Sequence, residues 1–214
     1  MNKKYSKKEE EFSGISDMLE GRHHVIPIMS NDDEEAAEKV DIPQILPILT
    51  LRSSVLFPGS ITPITVGREK SMKLVREVEG VGGILGAVLQ KEPEVEQPGP
   101  DDLYRIGTAA RILKVLEMPN GNLTVILHGL EKVEISEFVV SEPYFKASVA
   151  TLKDSAPDQN NIEFEALVDS IKDVALNIIN VSPQMPKEAT FAIKNIDNKR
   201  GIINFICSNL DLPD

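Results

Sequence analysis

Tryptophan is absent from the 214 residues, aromatic side chains make up only 5% of them, and there is a single cysteine, Cys207. With so few rings, a core has to be packed from Leu, Ile and Val. A lone cysteine excludes a disulfide framework and fits a reducing compartment. A basic excess is also missing. The chain has 23 Lys and Arg against 34 Asp and Glu, a net charge of −11, which repels the phosphates of nucleic acid. No segment approaches the ~18 consecutive apolar residues of a membrane helix. The opening residues are basic and then acidic, without the apolar stretch of a secretory signal. The expectation is a cytoplasmic protein with no nucleic-acid and no membrane partner.

What is present is ordinary for a globular chain. Hydrophobic residues are 41% and charged ones 27%, and the length suits one large or two small domains. Residues 1–44 read as a charged, flexible leader, interrupted only by Val25-Ile26-Pro27-Ile28-Met29. Residues 45–152 read as short strands around one helix. Ile45 to Leu49 and Ile61 to Val66 are apolar or alternating, with Pro63 marking an edge or a bulge. Met72, Val75 and Val78 repeat at helical spacing before Gly80, a C-cap. Strands follow at 84–89, 105–118, 123–127, 131–140 and 144–152, and Asn120-Gly121 predicts a type I′ hairpin turn. Six or seven such strands with one inserted helix predict a small closed or nearly closed barrel.

Residues 153–160 are a polar linker, after which the apolar period changes. Phe164, Leu167, Val168, Ile171, Val174, Ala175 and Ile178 mark one amphipathic helix. Pro183 and Pro186 interrupt the chain, and two shorter helices lie within residues 161–214, a helical subdomain. The fold class is α+β.

Chemistry is hard to place on these residues. The run from Gly80 to Gly86 follows a helix and opens a strand, the reverse of a dinucleotide loop. No Gly-x-x-x-x-Gly-Lys-Ser/Thr occurs, so no ATPase is read. His23 and His24 are adjacent and His128 is remote, which is not metal-ligand spacing. Cys207, beside Ile203, Phe205 and Ile206, reads as a buried structural thiol, and Ser53 and Ser54 lack a nucleophile-elbow context. Catalytic, cofactor-binding and metal residues are all expected to be none.

One set of motifs is more specific. Leu51-Arg52-Ser53-Ser54-Val55-Leu56-Phe57-Pro58-Gly59 comes first, then Val66-Gly67-Arg68-Glu69-Lys70-Ser71 and Gln90-Lys91-Glu92-Pro93. Pro100-Asp101-Asp102-Leu103-Tyr104-Arg105-Ile106-Gly107-Thr108 and Gly129-Leu130-Glu131 complete it. Their order and spacing resemble the N-terminal domain of the Lon protease, an ATP-dependent protein-degrading enzyme. The resemblance spans about residues 45–210 and implies a PUA-like β-barrel followed by helices. It implies an ATPase using ATP and Mg, and a Ser-Lys peptidase, beyond Asp214, with no catalytic residue in these 214. It also implies unfolded or damaged polypeptides as partners, with the downstream ATPase and protease domains, in a homohexamer. Without the resemblance, the alternative is a stand-alone PUA-like binding protein. RNA binding on such a barrel is opposed by the charge. In the string from Asp101 to Thr108, Tyr104 and Ile106 are expected to enter the barrel, and Gly107 to permit close packing.

An apolar anomaly gives the candidate contact site. Leu123, Val125 and Leu127 share one face of their strand, which leaves Ile126 with Thr124 and His128 on the polar side. Pro63 and Met118 are the apolar residues expected beside it. Pro63, Met118 and Ile126 are therefore the expected substrate-docking patch.

Overall fold

The computed structural model describes residues 40–79, 83–153, 161–182, 188–196 and 199–208. Residues 1–39, the Gly80 cap, most of the 153–160 linker, Pro183, Pro186 and the last six residues lie outside them. The elements are β1 (Ile45–Leu51), β2 (Ile61–Val66), α1 (Glu69–Glu79), β3 (Ile84–Leu89), β4 (Ile106–Glu117), β5 (Leu123–Val140) and β6 (Lys146–Thr151). Helices α2 (Ile162–Val181), α3 (Glu188–Asn195) and α4 (Lys199–Ser208) follow. The α+β class stands: a mixed sheet with a few helices.

The strands form one sheet in the order β2-β5-β4-β3-β1-β6. β1 runs parallel to β3 and antiparallel to β6, and the β3–β4, β4–β5 and β5–β6 pairs are antiparallel. The pairing β1–β3–β4–β5–β6 thus returns to β1. β2 stands at the end of the order and pairs with the first half of β5. Pro63 lies in this terminal strand, where a missing N–H costs the ladder least.

Two local expectations are corrected. The segments read as separate strands at 123–127 and 131–140 are one strand of 18 residues, β5. Ala110 pairs with Gly129 and Ala109 with Glu131, so Leu130 is taken up in a bulge and the strand bends without ending. The second correction is the Asn-Gly turn. A type I′ turn needs positive φ at both central residues, yet among the described residues only glycines have it, Gly121 at 83°. Gly121 N donates to Met118 O, and Met118 N to Asn122 O, both at 2.9 Å. Pro119 explains the difference: its ring holds φ negative at the first turn position, so a type I-like turn forms and Gly121 supplies the left-handed residue after it.

Gly129 is the point of closest approach. Gly59 N donates to Gly129 O at 2.8 Å, and Gly129 N donates to Ser60 O at 2.9 Å. A Cβ at Gly129 would stand 2.2 Å from Phe57 O. The turn at Phe57-Pro58-Gly59 therefore lies directly on the bulge of β5.

Apolar side chains occupy both faces of the sheet. Leu49, Leu51, Ile64, Leu85, Val125 and Leu127 pack with Leu74, Val75 and Val78 of α1. Leu46, Ile48, Val88, Leu103, Val133 and Ile135 form the other cluster. Helix α1 is also tied by polarity, for buried Tyr144 donates its hydroxyl to Glu77 Oε2 at 2.6 Å. That bond, with burial and the nearby negative charge, pushes the phenol up to about 12.

The helices have their own cluster of Val168, Ala175, Ile179, Ile193, Ile196, Ile202 and Phe205. Asn161 caps α2, accepting from Phe164 N at 3.0 Å. The single apolar face expected of α2 is two faces: Leu167, Ile171, Val174 and Ile178 are exposed. Cys207 is exposed as well, not a buried thiol. It lies two residues past buried Phe205, about 200° around the helix, and so points away from the cluster. Asn204 Nδ2 donates to Pro58 O at 3.1 Å, linking α4 to the sheet's Phe57-Pro58-Gly59 turn.

Two measurements check this packing. Gly129→Ala is expected to cost about 1–3 kcal/mol through the forced overlap with Phe57, read as a lower urea midpoint at unchanged m-value. Tyr144→Phe is expected to lose about 1 kcal/mol at neutral pH. A phenol raised in the folded state contributes fully below its unfolded value near 10 and progressively less as pH rises toward 12. The gap between the natural chain and Tyr144→Phe should therefore narrow over that interval, and a gap independent of pH would contradict the assignment.

Candidate functional site

Where β1 and β3 end and β4 begins, the surface opens into an apolar concavity of ≈ 430 Å³. Leu51, Leu56 and Ala87 form its buried lining, and Val55, Tyr104 and Ile106 its exposed one. Those three are each about half exposed, at 48%, 48% and 53%. The hollow exists because small residues meet beneath it. A Cβ at Gly107 would come within 2.6 Å of Ala87 O and 2.7 Å of Val88 Cγ2. Arg105 adds a charge at this lining and lies over the Phe138 ring, 5.8 Å from its centroid.

The walls are held by one buried amide. Gln90, 1% exposed, uses every polar atom of its side chain. Its Oε1 accepts from Arg68 Nη2 at 2.7 Å, and its Nε2 donates to Glu92 O at 2.6 Å and Val95 O at 3.0 Å. Arg68 also donates to Thr50 Oγ1 and Val95 O, both at 3.1 Å. Burial first, then the neighbouring Arg52, lower the pKa of Arg68, and Glu96 opposes them. The backbone completes the knot: Gln90 N donates to Leu51 O at 2.9 Å, and Tyr104 N to Leu89 O at 3.0 Å. Leu51, Leu89 and Tyr104, which line the hollow, are thereby fixed to one another. Thr108 Oγ1 donates to Leu56 O at 2.6 Å and fixes the remaining wall.

The expected docking patch is assembled differently. Pro63 and Ile126 are brought together as register partners across β2 and β5. Ile126, however, is 2% exposed. Its strand is paired on both edges, by Pro63 and by Lys114, and both faces of β5 are buried here, Thr124 included. Alternation along a strand predicts exposure only when one sheet face is open to water, and here neither is. Pro63 is half-buried, and Met118 is exposed at the β4–β5 hairpin. The three residues are not one exposed patch.

Tyr104 and Ile106 are corrected in the opposite sense: expected inside, they are exposed, and Leu103 is the buried residue. Gln90 and Leu103 form an isolated bridge that turns Leu103 inward, so its neighbour faces out. The signal that marks the hollow in the sequence is the pair of small residues, Ala87 and Gly107, next to large apolar ones. Close packing at Gly107 is as expected. Among the described residues no group of three or more His, Cys, Asp or Glu could hold a metal ion. No helix among them is long and apolar enough to cross a membrane.

Replacing Gln90 with Leu removes one of three acceptors of Arg68 and the donor to two carbonyls. The expected cost is about 2–3 kcal/mol, read by urea unfolding, with Tyr104 and Ile106 amides exchanging faster with deuterium. Unchanged exchange at those two amides would show that the amide does not hold the walls.

Comparison with known proteins then supplies a family. Residues 45–214 match the model of the ATP-dependent protease La (LON) substrate-binding domain. The Lon protease of Flavobacterium johnsoniae is 49% identical over 188 residues, covering 88% of this chain and 23% of that protein. The Lon protease of Cytophaga hutchinsonii is 38% identical, covering 87% of this chain and 23% of that protein. The chain thus spans about a quarter of the length of these relatives. Among solved structures, the Lon N-terminal domain protein of Xanthomonas campestris has a TM-score of 0.48 at 18% identity, covering 76% of this chain and 97% of the other. The N-terminal domain of Mycobacterium avium complex Lon protease has 0.49 at 15%, covering 78% and 100%. On the match over 170 of 214 residues and the identity to the Flavobacterium protein, the chain belongs to the Lon substrate-binding domain family.

Proposed function

We propose that the chain is the polypeptide-recognising end of an ATP-dependent Lon protease, and that the concavity between Leu51 and Gly107 is where it touches substrate. The observation that carries this is the coexistence of half-exposed Val55, Tyr104 and Ile106 with a rigid, hydrogen-bonded frame behind them. Apolar groups held open to water by their backbone anchors lose little entropy on binding. A shallow hollow of ≈ 430 Å³ takes one or two apolar side chains of an extended segment. Folded proteins keep such side chains inside, so the contact selects for unfolded or damaged chains. Shallow contacts also release readily, which suits a surface that hands substrate onward. The net charge of −11 favours basic or neutral polypeptides over polyanions.

The ring of strands from β1 to β6 is, in this reading, the small PUA-like barrel. The parent protein is a cytoplasmic serine protease acting as a homohexamer, with ATP and Mg bound in its ATPase domain and a Ser-Lys pair in its peptidase domain. Residues 45–152 and 161–214 are its recognition and helical parts. Pro63 and Met118 provide an outlying contact, with Ile126 as its buried support.

Binding of the chain to a fluorescent, reduced and carboxymethylated protein, followed by anisotropy, tests the site. Tyr104→Ser with Ile106→Ser is expected to weaken binding at least about tenfold, or ~1.4 kcal/mol, with an unchanged unfolding midpoint. Pro63→Ser with Met118→Ser is expected to weaken it by about twofold to threefold, a rim effect. Full binding by the first pair would remove the concavity from the mechanism.

A further inference from the structure

The charged leader has one stretch of a different kind. Val25-Ile26-Pro27-Ile28-Met29 is the single place in residues 1–39 where five residues in a row carry no polar side chain. Phe12, Ile15, Met18 and Leu19 are set among polar and charged residues. The residue before a proline is driven away from helix, so the run suits binding in extended form. Its chemistry is that of the segment the hollow takes under the proposed function: uncharged, extended, with apolar side chains close together.

The run is also within reach. Ile28 lies 12 residues before Val40, the first described residue, and Leu51 of the hollow lies 11 residues after it. At ~3.4 Å per residue the first stretch reaches about 40 Å, and the second spans at most about 37 Å. The run can therefore double back to the hollow whatever path residues 40–51 take. Charge adds to this fit. Arg105 is the one charged residue of the lining, and exposed Arg52 follows Leu51 at its edge. The acidic tract Asp32-Asp33-Glu34-Glu35 begins three residues after Met29. The loop after β3 contributes Glu92, Glu94, Glu96, Asp101 and Asp102 to the same neighbourhood. Of these, Asp102 accepts from Gly99 N at 2.8 Å, and Glu96 acts on Arg68. The rim is thus mixed in sign, and the apolar run carries the contact, with the acidic tract supporting it at Arg105 and Arg52.

We infer that residues 25–29 dock in the hollow of their own chain against Val55, Tyr104 and Ile106, so that the leader occupies the site until a polypeptide displaces it. The inference rests on the hollow being the polypeptide site. A tether of this length gives an effective concentration of about 1 mM, so a docking constant of about 0.5 mM closes about two-thirds of the molecules. The apparent Kd for an outside polypeptide is then raised about threefold.

The full 214-residue chain and the fluorescent, reduced and carboxymethylated protein test this. Val25→Ser and Ile26→Ser with Ile28→Ser are expected to tighten binding about threefold, a gain that misfolding cannot give. In that background Tyr104→Ser with Ile106→Ser should weaken binding about thirtyfold, against about tenfold with the natural leader, because the pair no longer also releases the leader. Ile28→Trp supplies the chain's sole tryptophan. Its emission should lie to the blue of that from the same chain carrying Tyr104→Ser with Ile106→Ser, equally at about 1 and about 50 μM. Leader substitutions that leave binding unchanged, while the Tyr104 and Ile106 pair still weakens it, overturn this inference and leave the proposed function standing. A Tyr104 and Ile106 pair without effect in either background overturns both. Emission that the pair does not move, or a blue shift that grows with concentration and so seats the run on another copy, overturns the inference as well.

Discussion

The concavity rests on the requirement that a buried amide satisfy all of its hydrogen-bonding atoms. Gln90 lies at the end of β3 with almost no exposure, so its oxygen and nitrogen have to find partners inside the protein. They find Arg68, just before α1, and Glu92 and Val95 in the loop after β3, two stretches far apart in the chain. Those stretches cannot move apart without leaving a polar atom dry. The end of β1, the loop after β3 and the entry to β4 are held in register as a consequence, and the apolar hollow is the space they enclose. Two of the motifs that signal the family, one around Arg68 and one beginning at Gln90, thus meet in a single interaction.

The sheet carries apolar packing on both sides, and this shapes everything that follows from it. One face takes α1, the other the cluster around Leu46 and Val133. Where both faces of a strand are covered, as at residues 123–127 of β5, no side chain is exposed. Leu113 is exposed within β4, but the exposed apolar groups that line the hollow come from strand ends and loops. Val55, Tyr104 and Ile106 sit at those ends. On the proposed reading, recognition by this fold is a property of its margins.

Much of the architecture was legible in the sequence. The order of strands and helices, the glycine packing at Gly107 and the edge position of Pro63 follow from turn chemistry and periodicity. The misread features share one cause: which face of an element is covered is a tertiary fact. Ile126 alternates with Val125 as an outward residue would, yet it is buried because both faces of β5 are covered. Tyr104 and Ile106 have the composition of core residues, yet an isolated bridge at Leu103 turns the chain and leaves them out. In α2 the residue types of the two faces are alike, and which of them is covered follows only from where α3 and α4 pack. Pro119 overruled the usual geometry of Asn-Gly because its ring acts one residue earlier.

The turn at Phe57-Pro58-Gly59 touches more of the molecule than its length suggests. It rests on Gly129 in β5, and Pro58 O receives Asn204 of α4. The same segment continues back to Leu56 and Val55, which line the hollow. A pull on α4 away from the sheet therefore loads this turn, which continues to the lip where Val55 stands. The mouth of the hollow is thus coupled to the helices through the bond between Asn204 and Pro58.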